Sequence, residues 1–377
     1  MESVLLNVET TVISIFLDTA PLILKEITFK GIPLTLYADN IQSEGGSSSS
    51  VLLEMMYGCK ISQALFVAAK LGIADILSDS SKTADELAKA AGVNSHGIYH
   101  LMRMLVSVGV FSLEDNEKFC LNSLGKHLLT GTPDSLRGTV MAMGDEGYQA
   151  WGNLLYGIKT GKTVFNHTFK RDLYSYFKQD WEASVNFNEW MKETTREWLL
   201  PVLEAYDFSE VKTLVDVGGS IGTLTAVILN ANPKMQAILF DREDVVVGAQ
   251  RVLEGAGVAD RCQIVGGNFF DAVLPDGDLY LISRVLLNWD DTHAIKILTN
   301  CYQAMTVKDK LVVVDFMLPK GKMSPFMGRA SINLFILGGT FMRTEDEFYN
   351  LLSSAGFKVT NTIKTTGPVS VIEAKPA

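Results

Sequence analysis

The sequence contains few of the residues that build disulfides and metal centres. Its 377 residues include four cysteines and five histidines. The cysteines are widely separated, without a Cys-x-x-Cys pair, and no histidine lies near one at the spacing of a zinc site. We therefore expect no structural zinc, no metal at the active site, and free thiols in a reducing cytoplasm.

Positive charge is also scarce. Lys and Arg number 33 against 43 Asp and Glu, which gives a net charge of −10. Because contact with phosphate backbones or anionic lipid requires a basic surface, we expect no nucleic-acid or membrane partner. The most apolar early run, residues 10–24, is interrupted by Asp18 and Pro21 and is too short to span a bilayer. These absences predict a cytoplasmic protein.

Hydrophobic residues, in contrast, make up 47% of the chain, and its length suits two domains with an appended segment. Residues 1–50 end in Glu44-Gly-Gly-Ser-Ser-Ser-Ser50, which is typical of a flexible tether. This N-terminal extension is a swapped arm, a partner-binding strand or a leader, and the sequence does not choose between them. We predict a helical domain over residues 51–205 and a second domain over residues 206–377.

A winged-helix unit is predicted within the helical domain. Thr83-Ala-Asp-Glu86 has the form of a capping box, and the helix that it starts should end near Gly92. A second helix should begin at Asn94 or Ser95, because apolar residues from Ile98 to Val106 follow a one-sided stripe. Two short strands, Phe111–Leu113 and Phe119–Leu121, form the wing.

Winged-helix units bind DNA in some proteins, but the second helix argues against that use here. It offers only His96, His100 and Arg103 as polar groups suited to reading bases. A helix that is apolar on most sides is better explained by burial at a dimer interface. We therefore expect a homodimer.

From residue 206 onward, strand-like and helix-like stretches alternate, which indicates an α/β domain with a mostly parallel, Rossmann-like sheet. The predicted strands are Thr213–Val217, Ala237–Asp241, Arg261–Val265, Asp278–Ile282 and Lys310–Asp315.

The strongest local signal is Asp216-Val-Gly-Gly-Ser-Ile-Gly222, where the first of these strands runs into a glycine-rich turn. Gly218 and Gly219 allow positive φ and close approach of a ligand, and Gly222 lets the next helix pack against the strand. Asp216 precedes the glycines, where a carboxylate suits a cationic ligand better than a pyrophosphate. This order favours S-adenosylmethionine over its main rival, NAD.

Asp241 ends the second strand, where an acid hydrogen-bonds the ribose hydroxyls of an adenosyl ligand. The alternative is an acid solvated in a loop.

At this point the chain resembles the small-molecule O-methyltransferases that include caffeate, acetylserotonin and bacterial polyketide enzymes. Five blocks carry the resemblance, in order along residues 51–375: Phe187-Asn-Glu-Trp-Met191, Asp216-Val-Gly-Gly-Ser-Ile-Gly222, Gly266-Gly-Asn-Phe-Phe270, Ser283-Arg-Val-Leu-Leu-Asn-Trp-Asp-Asp291, and Ile336-Leu-Gly-Gly with Arg343-Thr-Glu-Asp-Glu-Phe348.

The resemblance implies roles for individual residues, position by position. It implies that Asp241 holds the ribose, that Asn268 and Phe269 lie beside adenine, and that Ser283 contacts the adenosyl part. Asn268 departs mildly, since the family usually has Asp there. The resemblance also implies that the winged-helix segment forms the dimer. Residues expected to border the substrate are Tyr148, Met191, Leu287 and Phe335.

The family pattern fails at the catalytic position. Plant-type members carry His-Asp-Trp where this chain has Leu287-Asn288-Trp289, so the histidine that serves them as general base is absent. Their orienting glutamate is missing too, because Phe341 or Met342 occupies its place. Leu-Leu-Asn-Trp instead resembles a subgroup typified by carminomycin 4-O-methyltransferase and aclacinomycin 10-hydroxylase, in which methylation is thought to proceed by positioning alone.

Methyl transfer without a base is chemically reasonable, because a sulfonium is already a strong electrophile and alignment supplies ~7–11 kcal/mol of barrier lowering. The missing histidine predicts a phenolic or enolic acceptor that is more acidic than a plain alcohol. Asn288 would orient it; the alternative is that Asn288 only caps its own loop.

Other interpretations stay open. His167 is a weaker candidate base, and His293 should face solvent. The same scaffold could use the cofactor for hydroxylation, dehydration or a pericyclic step, or methylate carbon or nitrogen. A winged-helix regulator that senses the cofactor is a non-enzymatic alternative, which the acidic charge opposes.

Overall fold

The computed structural model describes residues 48–132 and 134–377, without the side chains of Lys192 and residues 195–200. The predicted N-terminal extension lies outside the described residues, except that its last three residues begin a helix. The described residues form two units, 48–194 and 195–377. This division falls inside one long helix, whereas the sequence analysis placed the boundary at the end of that helix, after residue 205.

The N-terminal unit is helical apart from one pair of short strands. Its helices are α1 (Ser48–Lys70), α2 (Ile73–Ile76), α3 (Ala84–Ala91), α4 (Ser95–Ser107), α5 (Arg137–Ala142), α6 (Tyr148–Gly152), α7 (Leu154–Thr160), α8 (Val164–Phe169), α9 (Leu173–Phe177) and the start of α10 (Trp181–Ala205). Strands β1 (Phe111–Leu113) and β2 (Phe119–Leu121) pair antiparallel. The winged-helix prediction is confirmed in this arrangement.

Local chemistry explains the ends of these helices. Thr83 accepts from the backbone N–H of Glu86 while the Glu86 side chain accepts from that of Thr83, so the predicted capping box is present. Gly92 ends α3 with φ +68, a conformation that glycine adopts without strain. Asn94 caps α4 by accepting from the Gly97 N–H. Ile98, Met102 and Leu105 of α4 are buried, as the stripe predicted.

One helix of this unit presents apolar side chains outward. Leu52 and Met56, one turn apart on α1, are 69% and 58% exposed. By length and composition alone α1 is able to cross a membrane, which for a single helix is weak evidence.

The C-terminal unit contains most of the strands. They are β3 (Thr213–Val217), β4 (Gln236–Asp241), β5 (Cys262–Gly266), β6 (Leu279–Ser283), β7 (Lys310–Leu318), β8 (Arg343–Thr344), β9 (Phe357–Lys364) and β10 (Val369–Pro376). The helices are α11 (Thr223–Ala231), α12 (Glu243–Val246), α13 (Ala249–Gly255), α14 (Asp291–Ala304), α15 (Pro325–Gly338) and α16 (Glu345–Ser354).

The sheet has the order β5-β4-β3-β6-β7-β10-β9, and β8 pairs with the end of β7. The first five strands of this order run parallel, and β10 runs antiparallel to both β7 and β9. All five predicted strands are present within three residues at each end, and the Rossmann-like class is confirmed. Strands β8, β9 and β10 were not predicted from the sequence.

Side chains from both faces of the sheet are buried, which is why its strands read as continuous apolar runs. Leu214 and Leu239 belong to a core on one face, and Val215 and Ile282 to a core on the other. Because β3, β4 and β6 run parallel, their carboxyl ends meet at one edge of the sheet, which is where open α/β sheets bind ligands.

Candidate active site

The turn after β3 has a backbone that favours glycine. Gly218 and Gly222 have φ of +77 and +83, and Ser220 between them has φ +57. The Gly218 N–H donates to the Phe240 carbonyl at 2.7 Å, which ties the turn to the end of β4. Glycine adopts these angles without strain, so Gly218 and Gly222 stand where the backbone requires them, whereas Gly219 does not have the positive φ that the sequence suggested.

The turn also has no room for side chains. A Cβ on Gly218 would lie 2.6 Å from Cγ2 of Val285, and one on Gly219 would lie 2.4 Å from Cδ1 of Leu239. The closest separations that real Cβ atoms show are longer than either distance. The turn therefore requires glycine at both positions because it packs closely against Val285 and Leu239.

Asp241 lies at the end of β4 beside the turn. Its Oδ2 accepts from the Ser220 N–H at 2.8 Å, and its Oδ1 accepts from the Arg242 N–H at 2.7 Å. A carboxylate has about four acceptor positions, so these two bonds fix its orientation and leave capacity for two hydroxyls. The geometry suits the predicted ribose contact.

Asp216 is buried beneath the turn, with a relative exposure of 1%. Its Oδ2 accepts from the Thr225 hydroxyl at 2.6 Å, and its Oδ1 has no hydrogen-bond partner. Burial, against the effect of the Thr225 bond and with a smaller contribution from the charge of Asp241, raises the pKa of Asp216 to about 6. Its contact in the structure is with Thr225, and direct contact with a cationic ligand stays a prediction.

Asn268 and Phe269 follow β5. Asn268 accepts from the Phe270 N–H at 3.1 Å and donates to Asp271 at 3.0 Å, so its side chain shapes its own loop. The Phe269 ring lies beside the glycine turn, 3.6 Å from the position of a Cβ on Gly218. The buried Asn300 donates to the Phe269 carbonyl at 2.8 Å and holds this residue in place. The structure therefore brings Phe269, Gly218 and Asp241 to one edge of the sheet.

Ser283 is half-buried at the end of β6, next to the strand that carries Asp216. Arg284 follows it with φ +55, a left-handed conformation that is uncommon outside glycine and costs strain. Burial lowers the pKa of Arg284 to about 10, and Asp315 counteracts that effect.

The turn Leu286–Asn288 carries the position of the missing histidine. Leu287 is buried in one apolar cluster with Phe316, Met327 and Met342. The resembled family has a histidine at the position of Leu287 and a glutamate at that of Phe341 or Met342. None of these three side chains accepts a proton. Asn288 is exposed and donates from Nδ2 to the Arg284 carbonyl at 3.1 Å. This bond matches the loop-cap alternative, and the orienting role stays a prediction.

Two buried charged residues near this turn, Asp315 and Arg343, were given no role from the sequence. Asp315, on β7, is 2% exposed. It accepts from the Phe316 N–H at 2.8 Å, and the Leu287 N–H also faces it. Its Oδ2 has no hydrogen-bond partner. Burial raises its pKa to about 7, against the pull of Arg343 and Arg284. Arg343 is 7% exposed and donates to the Leu286 carbonyl. One acid inside the apolar run of β7 was the available signal.

The remaining candidates lie elsewhere. Met191 is half-buried on α10 and Tyr148 is exposed at the start of α6, both in the N-terminal unit. Phe335, on α15, is buried and stacks on Phe341. Substrate contacts of these residues stay predictions.

His167, on helix α8, and His293, in the first turn of α14, have partners of their own. His167 stacks on Tyr156 at 3.6 Å between ring centroids, and His293 is paired with Asp290 at 2.7 Å. Within the described part of the chain, no cluster of three or more metal-binding side chains occurs.

Comparison with known proteins identifies two family models along the chain. The model of the O-methyltransferase domain matches residues 151–358, and that of the O-methyltransferase dimerisation domain matches residues 53–131. The first match contains the glycine turn, Asp241 and the turn Leu286–Asn288. The second contains the winged-helix elements.

Individual relatives agree with these models. The phenazine O-methyltransferase of Lysobacter antibioticus is 39% identical over 87% of this chain and 96% of its own length. The phenazine-1-carboxylate N-methyltransferase of Pseudomonas aeruginosa is 30% identical over 82% of this chain and 91% of its own. The crystal structure of human N-acetylserotonin methyltransferase with its cofactor superposes with a TM-score of 0.78, at 25% identity, over 88% of this chain and 98% of that one. The finer resemblance to the carminomycin subgroup stays a prediction.

Proposed function

This chain belongs to the O-methyltransferase family, and from that premise we propose that it methylates an acidic phenolic or enolic hydroxyl of a small secondary metabolite without a protein base. S-adenosylmethionine is the cofactor, as in the human structural relative, which was crystallised with it. The cofactor supplies a methyl group on a positively charged sulfur.

The glycine turn and its neighbours would hold this cofactor. Gly218 and Gly219 form the tight turn, Asp241 has acceptor capacity for both ribose hydroxyls, and the Phe269 ring lies beside the turn. Ser283 and Asn268 lie at the ends of the flanking strands. The free acceptor capacity of Asp241 and the position of the Phe269 ring fit an adenosyl ligand.

The observation that carries the proposal is the apolar environment of Leu287. A base at this position would have to accept the proton of the acceptor hydroxyl, but Leu287 and Met342 are 8% and 3% exposed in one hydrophobic cluster. The adjacent Asn288 carries an amide that does not titrate. With no base at these positions, the proposal is that the acceptor ionises by itself, which phenols and enols do more readily than alcohols.

The rate acceleration that is lost with the missing base is one that such an acceptor can recover. General-base catalysis contributes typically about 10²–10⁴-fold, whereas alignment of reactants contributes ~7–11 kcal/mol. A hydroxyl that is already ionised recovers the first contribution and keeps the second.

Incubation of purified protein with methyl-labelled S-adenosylmethionine and a panel of phenols and hydroxylated phenazines tests the proposal. We expect label in an ether product together with release of the demethylated cofactor. Conversion of the acceptor with the methyl group retained on the cofactor would instead favour hydroxylation, dehydration or a pericyclic step.

Methylation of nitrogen is a second candidate, favoured by the similarity to the phenazine-1-carboxylate N-methyltransferase. A neutral ring nitrogen has a free lone pair and needs no base, so the apolar Leu287 fits this reaction equally well. Nuclear magnetic resonance of the labelled product separates the two, because a methyl carbon on oxygen and a methyl carbon on a ring nitrogen couple to different neighbouring atoms.

We further propose that the enzyme is a cytoplasmic homodimer. The exposed apolar face of α1 lies in a segment that largely overlaps the dimerisation-domain match, and burial against a second copy would remove it from water. The four cysteines are free, which suits a reducing compartment.

A further inference from the structure

Arg343 makes an unusual set of contacts for a side chain on a two-residue strand. Its Nη1 donates to the Leu286 carbonyl at 2.8 Å, and its Nη2 donates to the Trp289 carbonyl at 2.7 Å. Its Nε donates to Asp291 at 2.9 Å. The guanidinium is thus bound to both ends of the short segment that contains Leu287 and Asn288.

The anchor point of Arg343 is fixed independently of these contacts. Strand β8 pairs with Met317 and Leu318 at the end of β7, and Thr344 caps helix α16 through a capping box with Glu347. The central sheet and α16 therefore set the position from which the guanidinium reaches the turn.

Only arginine can make this arrangement. The guanidinium offers five N–H donors in a rigid planar fork, so it can satisfy two carbonyls and a carboxylate at once. A lysine ammonium is a single point and cannot span two carbonyls at opposite ends of a turn. Asp291 has a 75% exposed side chain, so its ion pair with Arg343 adds little compared with the two buried carbonyl bonds.

We infer that Arg343 is a positioning residue for methyl transfer, which acts by fixing the turn Leu286–Asn288 between its two carbonyl bonds. The reason is that an enzyme without a base depends on alignment for its rate, and a displacement of about 1 Å at the reacting centre costs about 10²-fold. The inference rests on the proposed placement of the acceptor beside this turn. Arg343 itself touches no reacting atom in this account.

The test is Arg343→Lys, with Asp291→Asn as the matched control. For Arg343→Lys we expect kcat to fall about 10²-fold, with the Kd of S-adenosylmethionine measured by calorimetry unchanged within about twofold. Asp291→Asn keeps both carbonyl bonds, so its kcat should stay within about twofold of the wild-type value. Free guanidinium at millimolar concentration should restore part of the lost rate in Arg343→Ala.

Three results would overturn the inference: wild-type kcat in Arg343→Lys, an equal loss of cofactor affinity and rate, or a loss in Asp291→Asn as large as in Arg343→Lys. Hydrogen exchange separates this inference from the proposed function, because it needs no substrate. The amides of Asn288 and Trp289, which donate within the turn, should exchange faster in Arg343→Lys than in wild type. If these two amides exchange at the same rate in Arg343→Lys and in wild type, Arg343 does not fix the turn. This conclusion holds even if the enzyme proves to catalyse another reaction or the lysine variant is unstable.

Discussion

The glycines of the turn after β3 are important because an added side chain would not fit there. A Cβ on Gly219 would lie 2.4 Å from Leu239 and 2.6 Å from Oδ2 of Asp216, so Gly219→Ala must displace a buried group. Overpacking of this kind costs typically about 1–3 kcal/mol. We expect Gly219→Ala to weaken S-adenosylmethionine binding by about ten- to a hundredfold, as measured by calorimetry.

The matched control is Gly152→Ala, because no atom lies within 4 Å of a Cβ at that position. It should leave the affinity for S-adenosylmethionine unchanged. Equal affinity in Gly219→Ala and wild type would mean that the cofactor does not depend on the shape of this turn.

Two buried carboxyls should make stability depend on pH. Burial raises the pKa of Asp216 to about 6 and that of Asp315 to about 7, from a value of 3.8. Between about pH 4 and pH 7 the folded chain then binds more protons than the unfolded chain, so the free energy of unfolding falls as pH rises. This contribution is complete below about pH 4 and lost above about pH 7.

Asp315→Asn should flatten this slope, because the amide does not ionise. Urea denaturation at pH 5, 6, 7 and 8 measures it, and Asp79→Asn, at an exposed position, should keep the wild-type slope. A slope that is equally steep in Asp315→Asn would show that Asp315 titrates normally.

The sequence predicted some of these residues and not others, for a physical reason. The local pattern of a strand end is enough to find three of them: Gly218 and Gly219 directly follow β3, and Asp241 is the last residue of β4. Arg343 and Asp315 gain their importance from partners on other elements, such as the Leu286 carbonyl and Arg284. Such long-range contacts leave no periodic signal in the chain.

At the scale of elements, helix α3 offers a direct test of local stability. Its capping box satisfies two backbone N–H groups through Thr83 and Glu86. Thr83→Ala should lower the free energy of unfolding by about 1 kcal/mol, with a range of about 0.5–2. Thermal denaturation measures this, and Lys89→Ala, an exposed change in the same helix, should stay within about 0.5 kcal/mol of wild type. A neutral Thr83→Ala would show that tertiary packing alone holds the start of α3.

Elements with a strong local code were predictable, and those without one were not. The capping box, the wing and the five parallel strands follow from caps, turns and apolar runs. The short helices between Arg137 and Phe177 and the antiparallel strands β9 and β10 were missed. β9 has mostly exposed and half-buried positions at the edge of the sheet, without strict alternation, so its apolar signal is weak. The helices are too short to show periodicity.

At the scale of the whole molecule, the exposed face of α1 should mediate dimer formation. We expect Leu52→Glu with Met56→Glu to give a monomer, because two charges would have to be buried in an apolar interface. Light scattering coupled to size-exclusion chromatography measures the mass. Glu54→Gln on the same helix should remain dimeric, and a dimeric double variant would place the interface elsewhere.

Leu287 and Met342 carry no group that takes the proton of an acceptor, and the proposal depends on the absence of a base at these two positions. The most direct measurement is the pH dependence of kcat/KM for a series of phenols whose own pKa values differ by several units. We expect the rising limb of each profile to follow the pKa of the phenol used. One apparent pKa that stays constant across the whole series would contradict the account, because it would belong to a base on the protein.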